Sequence, residues 1–407
     1  MSNQTLTPVM ITNKAVIILA NICVMPKLVS SQYSDQFAKN GAKIGSVLNV
    51  RKPPRYIGRQ GPGLGVEDHT ETQVPLVLTT QFGVDVQFSS QELTLSLDDF
   101  SERVLKPQLE VVGNRIDRDG LLQYQNIPNM VGTPGVPPAT LASVMAVRQR
   151  LLEMGAPDDN AISLVLGPDA NTSLINGLSG LYNSQQQVAE QYKSGMMQPI
   201  AGLKVYLDQN VCVQQVGPLG GSPQVNGANQ GLTSGWAYSM NLVTNGWTNA
   251  AGARLNPGDV FTINNVFSVN PQNRQSTGKL QQFTAQAAVS SDAGGNATIP
   301  IVPAIISAGQ FQNVTVSPAA NAAITVAGSA GIQYGQNLGF HKACMTVAFA
   351  DLVLPRGVDM AERRVWENIS VRIIRAYDIN NDRFPSRTDV LYGYKVIYPE
   401  LGVRLTN

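Results

Sequence analysis

Histidine is almost missing from this 407-residue chain: His69 and His341 stand far apart, in neither H-x-x-x-H nor H-E-x-x-H spacing, so no His-based metal centre is suggested. Cysteine is nearly as scarce. Cys23, Cys212 and Cys344 are odd in number and form no C-x-x-C pair, which speaks against a disulfide framework or a zinc site and fits a reducing cytosol. No apolar run approaches the roughly 18 residues needed to span a bilayer. Ala15–Met25 has the length of a signal-peptide core, but only Lys14 precedes it and no A-x-A site follows, so it is not read as one. A surplus of one charge is also lacking: 29 basic residues face 28 acidic ones, and the net charge of +1 argues against gripping nucleic acid or an anionic membrane. With no P-loop, G-x-S-x-G elbow or paired catalytic groups, the chain reads as neither an enzyme nor the holder of a cofactor.

Charge is scarcest in one stretch. Residues 205–335 hold only Asp208, Arg254, Asp259, Arg274, Lys279 and Asp292, six of the 57 charged residues, and are rich in Gly, Asn, Gln, Ser, Thr and Pro. A drop of this size marks one folding unit set into another, and the length allows roughly two to three units. Within it, Val260–Val266, Leu280–Val289, Ala297–Val302, Phe311–Val316 and Ala323–Ala327 read as short strands. Turn signals at Pro257-Gly258 and Asp292–Asn296 make a small antiparallel barrel or sandwich the expectation.

The flanks carry mixed signals. Thr12 or Asn13 can cap an apolar helix over about 14–30, made irregular by Pro26. Ser96 and Asp99 start a capping-box-like helix whose stripe Leu97, Phe100, Val104, Leu109, Val112 and Ile116 runs to about Gln125, bent at Pro107. A second helix is expected over Thr140–Met154, stopped by Gly155, and a third near 170–182. Strands are expected at Ala161–Leu166, Ile200–Leu207 and near 343–350, 368–378 and 388–398, giving an α/β layer beside an alternating sheet.

From Gln36 to Val66 there are six basic residues and no acid; Glu67, Asp68 and Glu71 then follow at once. Between the strand-like runs Ser46–Val50 and Val74–Thr80 lie Pro53-Pro54, Pro62 and four glycines, so this segment is a long projecting hairpin, either an interaction arm or a solvated loop. Its G-P-G-L-G lacks the flanking elements of a phosphate cradle. His69 with Asp68 and Glu71 reads as an acidic loop edge rather than a metal site. Asp378, Asn380, Asp382 and Asp389 match calcium-loop positions, but Arg383 stands where the loop needs Gly, which leaves a turn between strands.

The run Asn337–Leu405, beginning NLGFHKACMTVAFADLVLPRG, resembles the major capsid (coat) proteins of tailed bacteriophages, of the type with a domain inserted in the shell fold. SDQFAKNGAKIGSVLNVRKPPRYIGRQG (34–61), TQFGVDVQFSSQELTLSLDDFSERVLKP (80–107) and GDVFTINNVFSVNPQNRQSTGKLQQF (258–283) agree with it. The resemblance implies an α+β fold, the Hong Kong phage shell fold, with an N-terminal arm (1–45), an extended loop hairpin (46–79) and peripheral and axial shell domains. The peripheral domain carries a long spine helix; the shell domains occupy 80–221 and 335–407, and a small antiparallel β-barrel is inserted at 222–334. It implies a shell protein that self-assembles through pentamers and hexamers into an icosahedral container for double-stranded DNA, held without sequence-specific binding. Scaffolding protein, portal and decoration proteins are the further partners implied; no membrane is involved, and assembly takes place in the host cytoplasm before the virion forms.

On that resemblance, Arg51, Lys52, Arg55 and Arg59 are candidates to meet acids of another copy, with Glu67, Asp68 and Glu71 in reciprocal roles. The rival expectation is a receptor- or glycan-binding surface protein whose β-rich block does the recognition.

Overall fold

The computed structural model describes residues 8–31, 47–89, 105–178 and 202–407. The expected helix start at Ser96–Asp99, Lys39 and Lys43, and the end of the helix expected near 170–182 lie outside these residues. The chain divides into two compact units, Met1–Val50 with Pro75–Gly120 and Met345–Lys395, and Arg51–Val74 with Leu121–Cys344 and Val396–Asn407.

In the first unit the apolar N-terminal segment forms a helix over Pro8–Ile22 and a short turn of helix over Met25–Leu28. The break at Cys23–Val24 is where Pro26 forbids continuation, because proline cannot donate to the preceding turn. Asp117 takes over that role, its Oδ1 accepting from Val24 N at 3.1 Å and Met25 N at 2.9 Å. The helix Lys106–Leu121 turns Leu109, Val112 and Ile116 inward, all fully buried, at the spacing of one helical face. A five-stranded sheet is built on the long strand Arg383–Val396, which pairs antiparallel with Thr80–Ser89 and with Ile369–Arg375. Met360–Trp366, not anticipated as a strand, extends it antiparallel to Ile369–Arg375. The calcium-like segment is the turn between two of these strands. Asp378 bonds Asn380 N and Asn381 Nδ2, while Asp389 is buried along the strand and clasped by Arg372 at 2.5 Å.

In the second unit the helix Leu141–Glu153 follows the extended Thr140 and ends at Gly155, whose φ of +79° suits the residue after a helix. Val144, Val147 and Leu151 pack on a mixed sheet ordered Met130–Val131, Gly402–Thr406, Gln333–His341, Ile162–Leu166 and Lys204–Leu207. The helix comes so close to the sheet that a Cβ at Gly339 would overlap Val147 Cγ1.

The charge-poor stretch is a closed barrel. Its sheet runs in the order Ile324–Val326, Val260–Val269, Ser276–Ala285, Ala297–Val302, Met240–Asn245 and Gln224–Val225. The two end strands then meet: Gln224 bridges Ala323, and Val225 N donates to Ala322 O at 3.0 Å. Closure leaves no unpaired edge, and the interior is filled by Val225, Leu242, Phe261, Phe283, Ile299 and Ile301. Trp247, 2% exposed, donates from Nε1 to Thr244 Oγ1 at 2.9 Å. Phe311–Val316 is not a strand; only Val314 forms an isolated bridge, with Ser268. Just outside the barrel, Val213–Gln215 pairs antiparallel with Gln333–Gly335, so the chain leaves and re-enters the mixed sheet at one place.

Candidate assembly interface

The extended segment between Val50 and Val74 divides into a root and a projecting tip. The root is held by charge. Lys52 is buried, with Nζ donating to Ile397 O at 3.1 Å and lying 4.2 Å from the Tyr398 ring centroid and 5.3 Å from that of Trp236. Burial pushes its ammonium below the usual lysine range, against the opposing pull of Glu400. Arg55 closes on Glu400 at 2.5 Å. Burial alone would raise the Glu400 carboxyl, but Lys52 and Arg55 outweigh it, and the net shift is downward. Two of the four basic candidates, Lys52 and Arg55, are therefore engaged within their own subunit.

The tip is different. Leu64 and Val66 are 88% and 85% exposed, a pair of bare apolar side chains at the far end. Arg59 bonds Gly61 O, and the Glu67 carboxylate accepts from Ile57 N and Gly58 N at 2.6 Å each, tying the two legs together. Arg51 and Glu71 face each other across 3.8 Å with side chains 79% and 50% exposed. His69 receives or gives a hydrogen bond with Tyr56 Oη at 2.9 Å and lies 3.5 Å from Glu71. Among the described residues no group of three His, Cys, Asp or Glu gathers to hold a metal, and no helix is long and apolar enough to cross a membrane.

Sequence reasoning missed the partners of the root. Trp236 and Glu400 lie far along the chain from Lys52, and no local pattern announces that they meet. The only signal was that a basic, proline-rich segment emerged from a strand that needed anchoring.

No curated protein sequence matches the chain. Solved structures similar to it include Mycobacterium phage Che8, at 9% identity and a TM-score of 0.46, covering 94% of this chain and 90% of that one. The capsid structure of the Cyanophage P-SCSP1u is similar at 8% identity and 0.42, covering 92% and 88%. The CUS-3 coat protein I-domain is similar at 24% identity and a TM-score of 0.19, over 26% of this chain and 94% of that one. Residues 2–407 match the family described as P22 coat protein - gene protein 5, and the chain accordingly belongs to that family as a major capsid protein, a builder of the virion shell.

Proposed function

We propose that the subunits close into an icosahedral shell of pentamers and hexamers around double-stranded DNA, each extended loop lying over a neighbouring copy. The observation that carries this reading is the projecting tip: Leu64 and Val66 are exposed and flanked by charges of both signs, with none of the described residues of their own subunit covering them. Head-to-tail contacts of one surface with another generate closed rings, which is what a shell of identical subunits requires. Arg51, Arg59, Glu67, Asp68 and Glu71 supply the reciprocal charges, with Lys52 and Arg55 setting the root from which they project. Each exposed pair contributes only about 0–1 kcal/mol, so the charges act by repetition and by fixing registry.

The division into arm, loop, shell domains and an inserted barrel at 222–334 supports the same reading, as does a charge balance too even for each subunit to grip DNA electrostatically. On it the role is structural rather than catalytic, and assembly draws on a scaffolding protein, a portal and decoration proteins in the host cytoplasm. Reversing Arg51 and Arg59 to Glu is expected to leave the subunit folded, judged by circular dichroism, while cutting the yield of particles in electron micrographs several-fold. Normal particles at normal yield would remove the loop from the interface.

A further inference from the structure

We propose that the barrel is the device that aims the extended loop of its own subunit, gripping it at three separated points. This deepens the shell reading and rests on it. The first hold is at the root, where the Trp236 ring of the barrel segment lies 5.3 Å from Lys52 Nζ. The second is Arg274, at the tip of the hairpin joining Val260–Val269 to Ser276–Ala285. Its Nη2 donates to Tyr56 O at 2.7 Å and its Nη1 to Ile57 O at 3.4 Å. The third is Gln310, in a different barrel loop, whose Nε2 donates to Asp68 O at 2.8 Å.

The last two holds act on opposite legs of the loop, before and after its exposed tip. Both are made to backbone carbonyls, so they read the path of the loop rather than its side chains. The hairpin bearing Arg274 is itself fixed. Asn270 Nδ2 donates to Glu153 O at 2.9 Å, Gln272 Nε2 donates to Gly155 O at 3.3 Å, and Lys279 meets Glu153 at 2.7 Å. Arg274 has a φ of +55°, a conformation that a non-glycine residue adopts only where its surroundings hold it. Gly58, Gly61, Gly63 and Gly65 leave the segment beyond Pro53-Pro54 little stiffness of its own, and its direction must come from outside it. Glu67, bonding Ile57 N and Gly58 N, then couples the two gripped legs into one body.

The test uses the full-length chain with Arg274→Ala and Gln310→Ala, singly and together. In dissociated subunits, hydrogen exchange at Ile57 and Gly58 should accelerate roughly tenfold in the double variant, while the fluorescence of buried Trp247 stays at its wild-type position. Particles assembled from that variant should be heterogeneous in size or aberrant in shape under the electron microscope. Unchanged exchange overturns the grip. Faster exchange with wild-type particles overturns the aiming role. Arg274→Gln, which keeps a donor to the carbonyls but removes the charge, should restore part of the protection; an effect of charge alone would not be repaired this way. Failure of the wild-type chain to build any closed particle refutes the shell reading instead, and the exchange measurement still judges the grip.

Discussion

Glu400 faces both Lys52 and Arg55, and the direction of its titration follows from that placement. Its carboxyl is held below the ordinary glutamate range, so ionised Glu400 contributes stability that is present above that range and lost as pH falls through the depressed folded value. Glu400→Gln should therefore be less stable than wild type at neutral pH, by about 1.5–3 kcal/mol for the weakened bond to a charged partner. The gap should close in acid, as pH falls through the depressed folded value and the wild-type carboxyl is protonated as well. Melting temperatures of both proteins across pH test this; a constant gap down to strong acid would mean that Glu400 does not work through its charge. Arg51 and Glu71 carried a visible sign change in the sequence and remain exposed, whereas Lys52 and Arg55 looked identical to their neighbours and turned inward. Local sequence records which charges exist, and only the long-range fold decides which of them are satisfied at home.

The chain folds as mixed α and β, with a closed barrel set between two strands of a mixed sheet. Its elements were legible where the pattern was local. Leu141–Glu153 kept its helical stripe and its glycine stop, and Ile162–Leu166 is a fully buried strand, as five apolar-compatible residues in a row imply. Legibility failed where strands were amphipathic or mixed with charge: Met360–Trp366 carries Glu362, Arg363 and Arg364 yet pairs along its whole length. Phe311–Val316 alternated like a strand but makes only one bridge, Val314 with Ser268, flanked by Val269 N to Asn313 O and Thr315 N to Phe267 O. Gly339 illustrates a constraint no propensity reveals. Gly339→Ala should cost about 1–3 kcal/mol by forcing the helix Leu141–Glu153 off the sheet. Adding Val147→Ala should make the double variant more stable than the sum of the two single losses predicts, because the deleted methyls vacate the space. Strict additivity in urea denaturation would show that the two do not touch.

For the whole molecule, family membership settles the choice between a shell protein and a glycan-binding surface protein, and the topology explains how a shell subunit accommodates a barrel. Val213–Gln215 and Gln333–Gly335 are zipped together, and Val216 N still donates to Ile332 O at 3.0 Å before the two strands part. A segment whose ends leave from adjacent points can be lengthened into a domain without disturbing the sheet it interrupts. The barrel also has its own filled interior and no open edge, the two requirements for folding alone. It is bound to its surroundings by peripheral polar contacts, by an apolar cluster in which Val260, Val326 and Ala327 meet Met130, Val216 and Tyr334, and by one buried polar hub. Arg404, its guanidinium pushed down to about 10 by burial, donates from Nη1 to Gly258 O at 2.8 Å and from Nε to Ile127 O at 2.7 Å. Asp259 beside it bonds Gln214 and Gly217 N. A chain of residues 222–334 expressed by itself should thus show a β-rich circular dichroism spectrum, one cooperative thermal transition and shielded Trp247 emission. It should melt below the corresponding transition of the full chain, because Asp259, Lys279 and Arg274 lose the partners that dock them. A random-coil spectrum with no transition would mean that the barrel depends on the shell fold for its core, and that the boundary at 222–334 is not that of a domain.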